Sequence, residues 1–368
     1  MGVLRRRSLR SGERIRVLVV DDSVVIRRLV TQALERDPDI EVVGVASNGA
    51  IALQRIAQLN PDVLTLDIEM PVMDGLETLK RLRGDHADIR VIMFSTLTER
   101  GAAVTLEALA LGADDYVTKA SNEGSLDRSI QRLREELIPK LKQFFSLPSA
   151  ALPVAAPKLA ELPSLARSLW SKQRTLEGKP RVVVIGCSTG GPTALAAVLP
   201  QFPADFPLPV LVVQHMPPLF TRLLAERLNT LCPLSIAEAS QGEAITGGRI
   251  LIAPGDFHMK VTECGGTVRV LLDQSPPQHF CRPSVDALFC SIAQVYQGAV
   301  VATVLTGMGQ DGLRGAEMLK AQGASILAQD QESSVVWGMP GAVVNAGLAD
   351  RVLPLDQCAP EILRRARG

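Results

Sequence analysis

The chain has 368 residues, 46% of them hydrophobic and 21% charged, and its 39 Lys and Arg residues balance 39 Asp and Glu residues. This length predicts two globular domains, while the balanced charge argues against nucleic acid or an anionic membrane as a partner. The Arg-rich start is not followed by the apolar segment of a secretion signal or membrane anchor, and the six cysteines form no C-x-x-C or zinc-binding pattern. We therefore expect a cytoplasmic protein with reduced thiols and no direct membrane insertion.

The first part of the chain, residues 14–142, alternates strand-like and helix-like patterns. Strand-like apolar runs occur at 16–20, 41–46, 63–66, 91–94 and 115–117, with helical periodicity between and after them. Repeated βα units predict a five-stranded parallel (βα)5 sheet with helices on both faces. Such sheets place their functional groups at the carboxyl ends of the strands.

Charged and hydroxyl side chains collect at these predicted strand ends, namely Asp21, Asp22, Asp67, Ser95 and Lys119. Three carboxylates at one sheet edge would repel each other unless a divalent cation neutralised them, and an oxygen-rich site of this kind suits Mg²⁺. A lysine at the same edge could hold a phosphoryl oxygen. Taken singly, the acids could also be helix caps, a common role after a strand.

The motifs of the first domain are Val-Asp-Asp-Ser at 20–23 and Asp-Ile-Glu-Met-Pro-Val-Met-Asp-Gly at 67–75, in addition to Ser95 and Lys119. On these motifs the domain resembles the receiver domain of two-component response regulators, which implies a flavodoxin-like (βα)5 fold. The resemblance implies that Asp67 accepts a phosphoryl group from a chemotaxis-type histidine kinase. It also implies that Mg²⁺ is held by Asp21, Asp22, Asp67 and the backbone carbonyl of Glu69.

The same resemblance implies a switch that reports phosphorylation. Its residues would be Ser95 and Tyr116, beside Lys119. Ala120 departs from the family pattern, which commonly has proline after the lysine.

Residues 145–180 contain scattered prolines without a strand-like run, which predicts a semi-rigid linker. The second domain, residues 181–368, opens on β-branched residues at 182–185 that run into Gly186-Cys187-Ser188-Thr189-Gly190. This pentad fits the G-x-S-x-G elbow, whose glycines allow the tight turn that presents a serine nucleophile, here Ser188. A phosphate-binding loop and a plain helix-capping turn remain alternatives for the pentad on its own.

The rest of the second domain continues the α/β pattern. In chain order it predicts a strand at 210–213, a helix at 219–229, short strands at 249–253, 258–261 and 267–272, a helix at 284–296, a strand at 299–305 and a glycine-rich loop at 307–312 that leads into another helix. Glycine pairs between the three short strands suggest hairpins. These elements predict a doubly wound, mostly parallel α/β domain with a β-hairpin insertion.

A serine nucleophile needs a base, and the base needs a group that orients it. Of the four histidines, only His215 directly follows a predicted parallel strand, so it should emerge at the same sheet edge as Ser188. Asp311 follows the 299–305 strand across the glycine-rich loop and is the candidate orienting carboxylate. Helix capping is the alternative for Asp311. The order Ser, His, Asp differs from that of the α/β-hydrolases.

The motifs of the second domain are Gly-Cys-Ser-Thr-Gly-Gly-Pro-Thr at 186–193, Gln-His-Met at 214–216, Ile-Ala-Pro-Gly at 252–255, Arg-Pro-Ser-Val-Asp at 282–286 and Gly-Met-Gly-Gln-Asp-Gly at 307–312. With a receiver in front, they make the whole chain similar to the chemotaxis protein-glutamate methylesterases. The resemblance implies that Ser188, His215 and Asp311 are nucleophile, base and orienting group, without a cofactor in this domain. The implied reaction hydrolyses γ-glutamyl methyl esters on the cytoplasmic helices of chemoreceptors and, in some members, deamidates receptor glutamines.

Three further residues belong to this hypothesis. The backbone N–H of Thr189, at a helix start, is the candidate oxyanion donor, and the resemblance suggests Met308 as a second. Arg282 could bind polar groups of the receptor, with a surface ion pair as the alternative.

Two domains joined by a Pro-rich linker suggest regulation through an interface between them. That the unphosphorylated receiver covers the catalytic edge, so that phosphorylation activates the enzyme, is implied only by the resemblance. The alternative function is a phosphorylation-dependent interaction module whose Ser188 loop binds a phosphate or a partner without catalysis.

Overall fold

The chain folds around two parallel β-sheets, and the computed structural model describes residues 7–10, 12–86, 88–119, 126–146 and 179–367. Most of the predicted linker, residues 147–178, lies outside the described residues, as does Ala120. The predicted fold class is confirmed: a five-stranded parallel sheet precedes a seven-stranded parallel one. The domain boundaries 14–142, 145–180 and 181–368 stay predictions.

The first sheet has the strand order β3-β2-β4-β5-β6. The strands of this domain are β1 (Arg7–Ser8), β2 (Ile15–Val20), β3 (Ile40–Ala46), β4 (Val63–Asp67), β5 (Arg90–Ser95), β6 (Asp115–Thr118) and β7 (Phe145–Ser146). Strands β4 and β5 are completely buried because helices cover both faces, as their apolar sequences require. The short parallel pair of β1 with β7 is an element that the sequence pattern did not indicate.

Helices of the first domain follow its strands. They are α1 (Val24–Glu35), α2 (Gly49–Leu59), α3 (Gly75–Asp85), α4 (Glu99–Ala110) and α5 (Leu126–Lys142). The first four begin after Ser23, Asn48, Asp74 and Thr98, whose side chains each accept a hydrogen bond from a backbone N–H three residues later. Each bond satisfies one of the free N–H groups of a helix start, which fixes the turns at the carboxyl edge of the sheet.

The second sheet has the strand order β10-β11-β9-β8-β14-β15-β16, and all of its neighbouring strands are parallel. The strands of this domain are β8 (Val182–Cys187), β9 (Val210–Gln214), β10 (Ser235–Glu238), β11 (Arg249–Ile252), β12 (His258–Cys264), β13 (Thr267–Asp273), β14 (Val300–Val304), β15 (Ser325–Gln329) and β16 (Arg351–Leu353). Strand β8 lies between β9 and β14, so the residues that follow these three strands meet at one edge.

One hairpin, β12 with β13, is inserted between the parallel strands. The prediction that the run at 249–253 also belongs to a hairpin is wrong, because Arg249–Ile252 pairs in parallel with β9 and β10. The glycine pair before this strand, Gly247-Gly248, allows close packing and does not form a hairpin turn. A Cβ on Gly247 would lie 1.9 Å from the carbonyl oxygen of Pro207, so the two backbones approach each other there.

Helices cover both faces of the second sheet. They are α6 (Gly191–Val198), α7 (Phe220–Leu231), α8 (Val285–Tyr296), α9 (Leu313–Ala321), α10 (Met339–Asn345) and α11 (Leu355–Arg367). Apolar side chains of α6, α7 and α11 pack on one face of the sheet. Those of α8, α9, α10 and the hairpin pack on the other.

The two domains contact each other through α4 and β6 of the first and α6 and α7 of the second. The ring of Tyr116 stacks on Phe220, with centroids 4.9 Å apart and planes inclined by 7°. The Thr193 hydroxyl donates to the carbonyl of Leu109 at 3.3 Å. This interface therefore lies next to the turn that carries Ser188.

Candidate functional site

Ser188 lies in the turn between β8 and α6, at the carboxyl edge of a central strand. Its backbone N–H donates to the Thr306 carbonyl at 3.0 Å, and its carbonyl accepts from the Gly191 N–H at 2.7 Å. Gly190 has a φ of +78°, a left-handed conformation that favours glycine and turns the chain directly into α6. Ser188 is half-buried, and within the described ranges its hydroxyl makes no hydrogen bond, so the oxygen is available for attack.

His215 directly follows β9, the strand next to β8. Its backbone N–H donates to the Cys187 carbonyl at 3.2 Å, which places it beside the residue before Ser188. Its Nε2 lies 2.8 Å from Oδ2 of Asp311, and both side chains are almost completely buried. The structure thus brings the predicted base and orienting carboxylate together at the edge where the serine turns.

Asp311 is fixed by a helix other than the one that follows it. Its carboxylate accepts from the backbone N–H groups of Val285 at 2.7 Å and Asp286 at 2.9 Å, and from the Ser284 hydroxyl at 2.9 Å. These groups belong to the start of α8, whose positive dipole end favours a negative charge. Helix α9 begins instead after Gly312, without a side-chain cap. Asp311 therefore ties α8 to the imidazole.

Burial and hydrogen bonding set the charges of this pair. Burial alone would lower the pKa of His215, but the hydrogen bond to Asp311, followed by the influence of the nearby Cys281, outweighs burial and raises the pKa to about 10. Burial alone would raise the pKa of Asp311, but hydrogen bonds from His215 and from the backbone of Asp286 and Val285 hold it below its usual value. The site thus stabilises an imidazolium beside a carboxylate, the state that forms when His215 takes a proton.

The two candidate oxyanion donors lie on either side of Ser188. In the described part of the chain, the backbone N–H groups of Thr189 and Met308 donate no hydrogen bond, which leaves both free to bind an oxyanion. The loop of Met308 reaches the serine, because a Cβ on Gly307 would lie 2.9 Å from the Ser188 Cβ.

Arg282 is bound within its own domain. Its Nε lies 3.1 Å from Asp256 Oδ1, and its Nη1 donates to the carbonyls of Gln274 at 3.0 Å and Ser275 at 3.1 Å. The intramolecular ion pair foreseen as the alternative therefore exists. Binding of receptor groups by Arg282 stays a prediction.

The predicted phosphorylation residues meet at the carboxyl edge of the first sheet. Carboxylate oxygens of Asp21, Asp22 and Asp67 lie within 4.8 Å of one another. Lys119 Nζ lies 2.9 Å from Asp21 and 2.7 Å from Asp67. Burial raises the pKa of Asp67 to about 6. The hydrogen bond from Lys119 lowers this pKa, and the charge of Asp21 raises it further. Three oxygen donors this close match the ligand preference of Mg²⁺.

The remaining predicted residues of the first domain lie around this site. The Glu69 side chain is exposed and pairs with Arg100 at 3.5 Å. Ser95 is buried and its hydroxyl accepts from the Thr105 hydroxyl at 2.7 Å. Tyr116 is buried at the domain interface, where burial, followed by the charges of Asp115 and Glu136, raises the pKa of its phenol.

One contact links the two sites and was not foreseen from the sequence. The Thr189 hydroxyl donates to Oδ2 of Asp115 at 2.7 Å, and both residues are buried. Asp115 lies next to the candidate switch Tyr116, and Thr189 lies next to Ser188. Asp115 stands at the start of a predicted strand, and nothing in that position indicated this contact, because its partner Thr189 is 74 residues away in the other domain.

Comparison with known proteins gives matches for both domains. The family described as CheB methylesterase matches residues 183–362, and the response regulator receiver domain matches residues 17–131. A protein-glutamate methylesterase/protein-glutamine glutaminase of Trichodesmium erythraeum is 50% identical over 356 residues, which cover 96% of this chain and 99% of that protein. A protein of the same description from Nocardioides sp. is 52% identical over 351 residues, 95% of each chain.

No helix in the described part of the chain is both long enough and apolar enough to cross a bilayer.

Proposed function

The chain belongs to the CheB family of protein-glutamate methylesterases that carry a receiver domain, and on this premise we propose that it is a phosphorylation-regulated serine hydrolase of chemoreceptors. It removes methyl groups from receptor γ-glutamyl methyl esters as methanol, and it deamidates receptor glutamines, the second activity in the names of its relatives. The buried pair of His215 and Asp311 beside the Ser188 turn carries this proposal. A binding module without catalysis would have no use for a buried base next to an unbonded serine hydroxyl.

The reaction begins with attack of the Ser188 hydroxyl oxygen on the ester carbonyl while His215 takes the hydroxyl proton. Asp311 stabilises the imidazolium that results. Collapse of the tetrahedral intermediate breaks the bond to the methoxy group, and His215 returns the proton to it, so methanol leaves. Water, activated by His215 in the same way, then hydrolyses the glutamyl-serine ester and restores the enzyme.

The negative charge of the tetrahedral intermediate needs hydrogen-bond donors. The free backbone N–H groups of Thr189 and Met308 supply them in this proposal, and one such donor is typically worth about 3 kcal/mol in the transition state. The N-terminal end of α6, which follows Thr189, adds a favourable dipole.

Asp67 is the proposed phosphoryl acceptor, with a chemotaxis histidine kinase as donor. Asp21, Asp22, Asp67 and the Glu69 carbonyl would hold Mg²⁺, which neutralises phosphoryl charge during transfer. Lys119, already within 2.7 Å of Asp67, would then bind a phosphoryl oxygen. Ser95 and Tyr116 would report the new charge to the interface.

Regulation is proposed to act through the contact between the domains. The receiver covers the Ser188 turn, since Asp115 binds the side chain of Thr189 and Tyr116 stacks on Phe220. Phosphorylation would weaken this contact and admit a receptor helix. Removing residues 1–145 should therefore raise the basal rate, and an unchanged rate would exclude occlusion. We place this reaction in the cytoplasm, where receptor methylation sites face the enzyme.

The decisive experiment measures methanol release from a methylated receptor fragment, with and without a small-molecule phosphodonor. Ser188→Ala should abolish release while Asp67 is still phosphorylated. Substantial residual release would remove Ser188 from the mechanism. A serine-reactive probe that labels Ser188, and fails to label it in His215→Ala, separates the enzyme from the non-catalytic binding module.

A further inference from the structure

Gln214 is the last residue of β9 and stands between the catalytic turn and the base. We propose that Gln214 is a positioning residue that holds the backbones of Ser188 and His215 in one fixed relation. This proposal rests on the esterase function proposed above and adds a residue to which the reaction scheme gives no role.

The side-chain amide of Gln214 bridges the two catalytic residues. Its Nε2 donates to the carbonyl of Ser188 at 3.0 Å and to the carbonyl of His215 at 3.2 Å. The side chain is 2% exposed, so water does not compete for these bonds. One rigid amide nitrogen thus bonds to both of the residues between which a proton must pass.

Among the described residues, the amide oxygen of Gln214 makes no bond that would orient the group. Oε1 is buried and makes no hydrogen bond with the described residues. It faces Gly191, where an added Cβ would lie only 1.9 Å away. A buried acceptor without a partner is unfavourable. Its presence indicates that the two bonds made by Nε2 on the other side of the amide determine how the side chain is placed.

Proton transfer from Ser188 to His215 is sensitive to this placement. A misplacement of about 1 Å can reduce the rate of an oriented reaction about a hundredfold. The backbone N–H of Ser188 is bonded to Thr306, on the β14 side of the sheet. The Gln214 amide is the side-chain link to the opposite, β9 side, where the base lies. Loss of this link should therefore lower the rate of chemistry with little effect on receptor binding.

The test compares wild type with the variant Gln214→Met, both as the phosphorylated full chain. Methionine has a similar volume but no N–H donor. Gln214→Glu is the second variant, because it keeps the shape but turns an acceptor toward the two carbonyls. Ile326→Val, buried in strand β15 of the same sheet and away from the site, serves as a control for lost stability. Methanol release gives kcat and KM, thermal unfolding gives Tm, and a fluorophosphonate measures the reactivity of Ser188 without a receptor.

We expect a fall in kcat of about ten- to a hundredfold in Gln214→Met, with KM within twofold of wild type and an equal fall in fluorophosphonate labelling. Gln214→Glu should behave in the same way. An unchanged kcat would overturn the positioning role. So would a fall in kcat no larger than that of Ile326→Val, when the two variants lower Tm by the same amount. A wild-type chain that releases no methanol would overturn the proposed function instead, and the labelling rates would still decide the role of Gln214.

Discussion

Replacing Asp115 tests whether the receiver holds the catalytic turn closed. The carboxylate accepts from the Thr189 hydroxyl at 2.7 Å and from the backbone N–H of Tyr116 at 2.8 Å, and it is also close to Lys140 Nζ at 3.5 Å. The bonds to Tyr116 and Lys140 lie within the receiver and persist when the domains separate. Of these bonds, only the one to Thr189 differs between the closed and open states. Asp115→Ala therefore shifts the equilibrium between these states mainly by removing that bond.

The size of the effect follows from burial. A buried hydrogen bond to a charged group contributes roughly 1.5–3 kcal/mol, which corresponds to a factor of about 10 to 150 in an equilibrium constant. The ion pair of Glu99 with Arg222 crosses the same interface, but Glu99 is 75% exposed and solvent screens the pair. Glu99→Ala is therefore the matched control, in which we expect at most about a fivefold change, below that of Asp115→Ala.

The assay is the initial rate of methanol release by the unphosphorylated full chain. Asp115→Ala should raise this basal rate about tenfold or more, up to the rate of the phosphorylated wild type, so that the stimulation by phosphodonor shrinks accordingly. Asp115→Asn keeps an acceptor oxygen without the charge and should give an intermediate rate. A basal rate in Asp115→Ala no higher than in Glu99→Ala would refute the closing role of this bond.

Three further predictions concern the catalytic domain. The pKa of His215 is raised to about 10, and its protonated form accepts no proton, so methanol release should keep rising with pH above the usual histidine range. Cys281→Ala should lower the midpoint of this rise, and a rate already constant above about pH 7 would contradict the prediction. Gly191→Ala would place a Cβ 1.9 Å from Gln214 Oε1 and should lower kcat at least tenfold, whereas wild-type kcat would show that the amide moves freely. Phe280 is fully exposed with a φ of +63°, so Phe280→Gly should raise the free energy of unfolding by about 1 kcal/mol in denaturant titration, and a lower value would rule out strain at this turn.

Much of the geometry of the candidate phosphorylation site could be predicted because its residues lie at or directly after strand ends. The parallel sheet brings strand ends together without any further information, so Asp21, Asp67 and Lys119 meet as expected. The same logic placed His215 and Asp311 at the edge that carries Ser188. The prediction that failed, the hairpin at 249–253, depended on glycines whose role is close packing, and a glycine pair does not reveal which role it has.

Other features depend on contacts between residues far apart in the chain. The sequence could not reveal that Asp311 caps α8 across the site instead of its own helix, or that Gln214 bridges Ser188 and His215. Each of these side chains is polar and buried, so it must find a partner, but sequence pattern alone does not say which.

The sequence by itself determined the two α/β domains, the edge of each sheet that carries its candidate site, and the residues at those edges, because apolar periodicity and strand ends are local properties of the chain. Only the tertiary structure decided which contacts join the two domains near these edges. The bond from Asp115 to Thr189 and the stacking of Tyr116 on Phe220 join domains whose residues are distant in sequence. Such contacts arise from the docking of folded surfaces, and no periodicity in the chain encodes them.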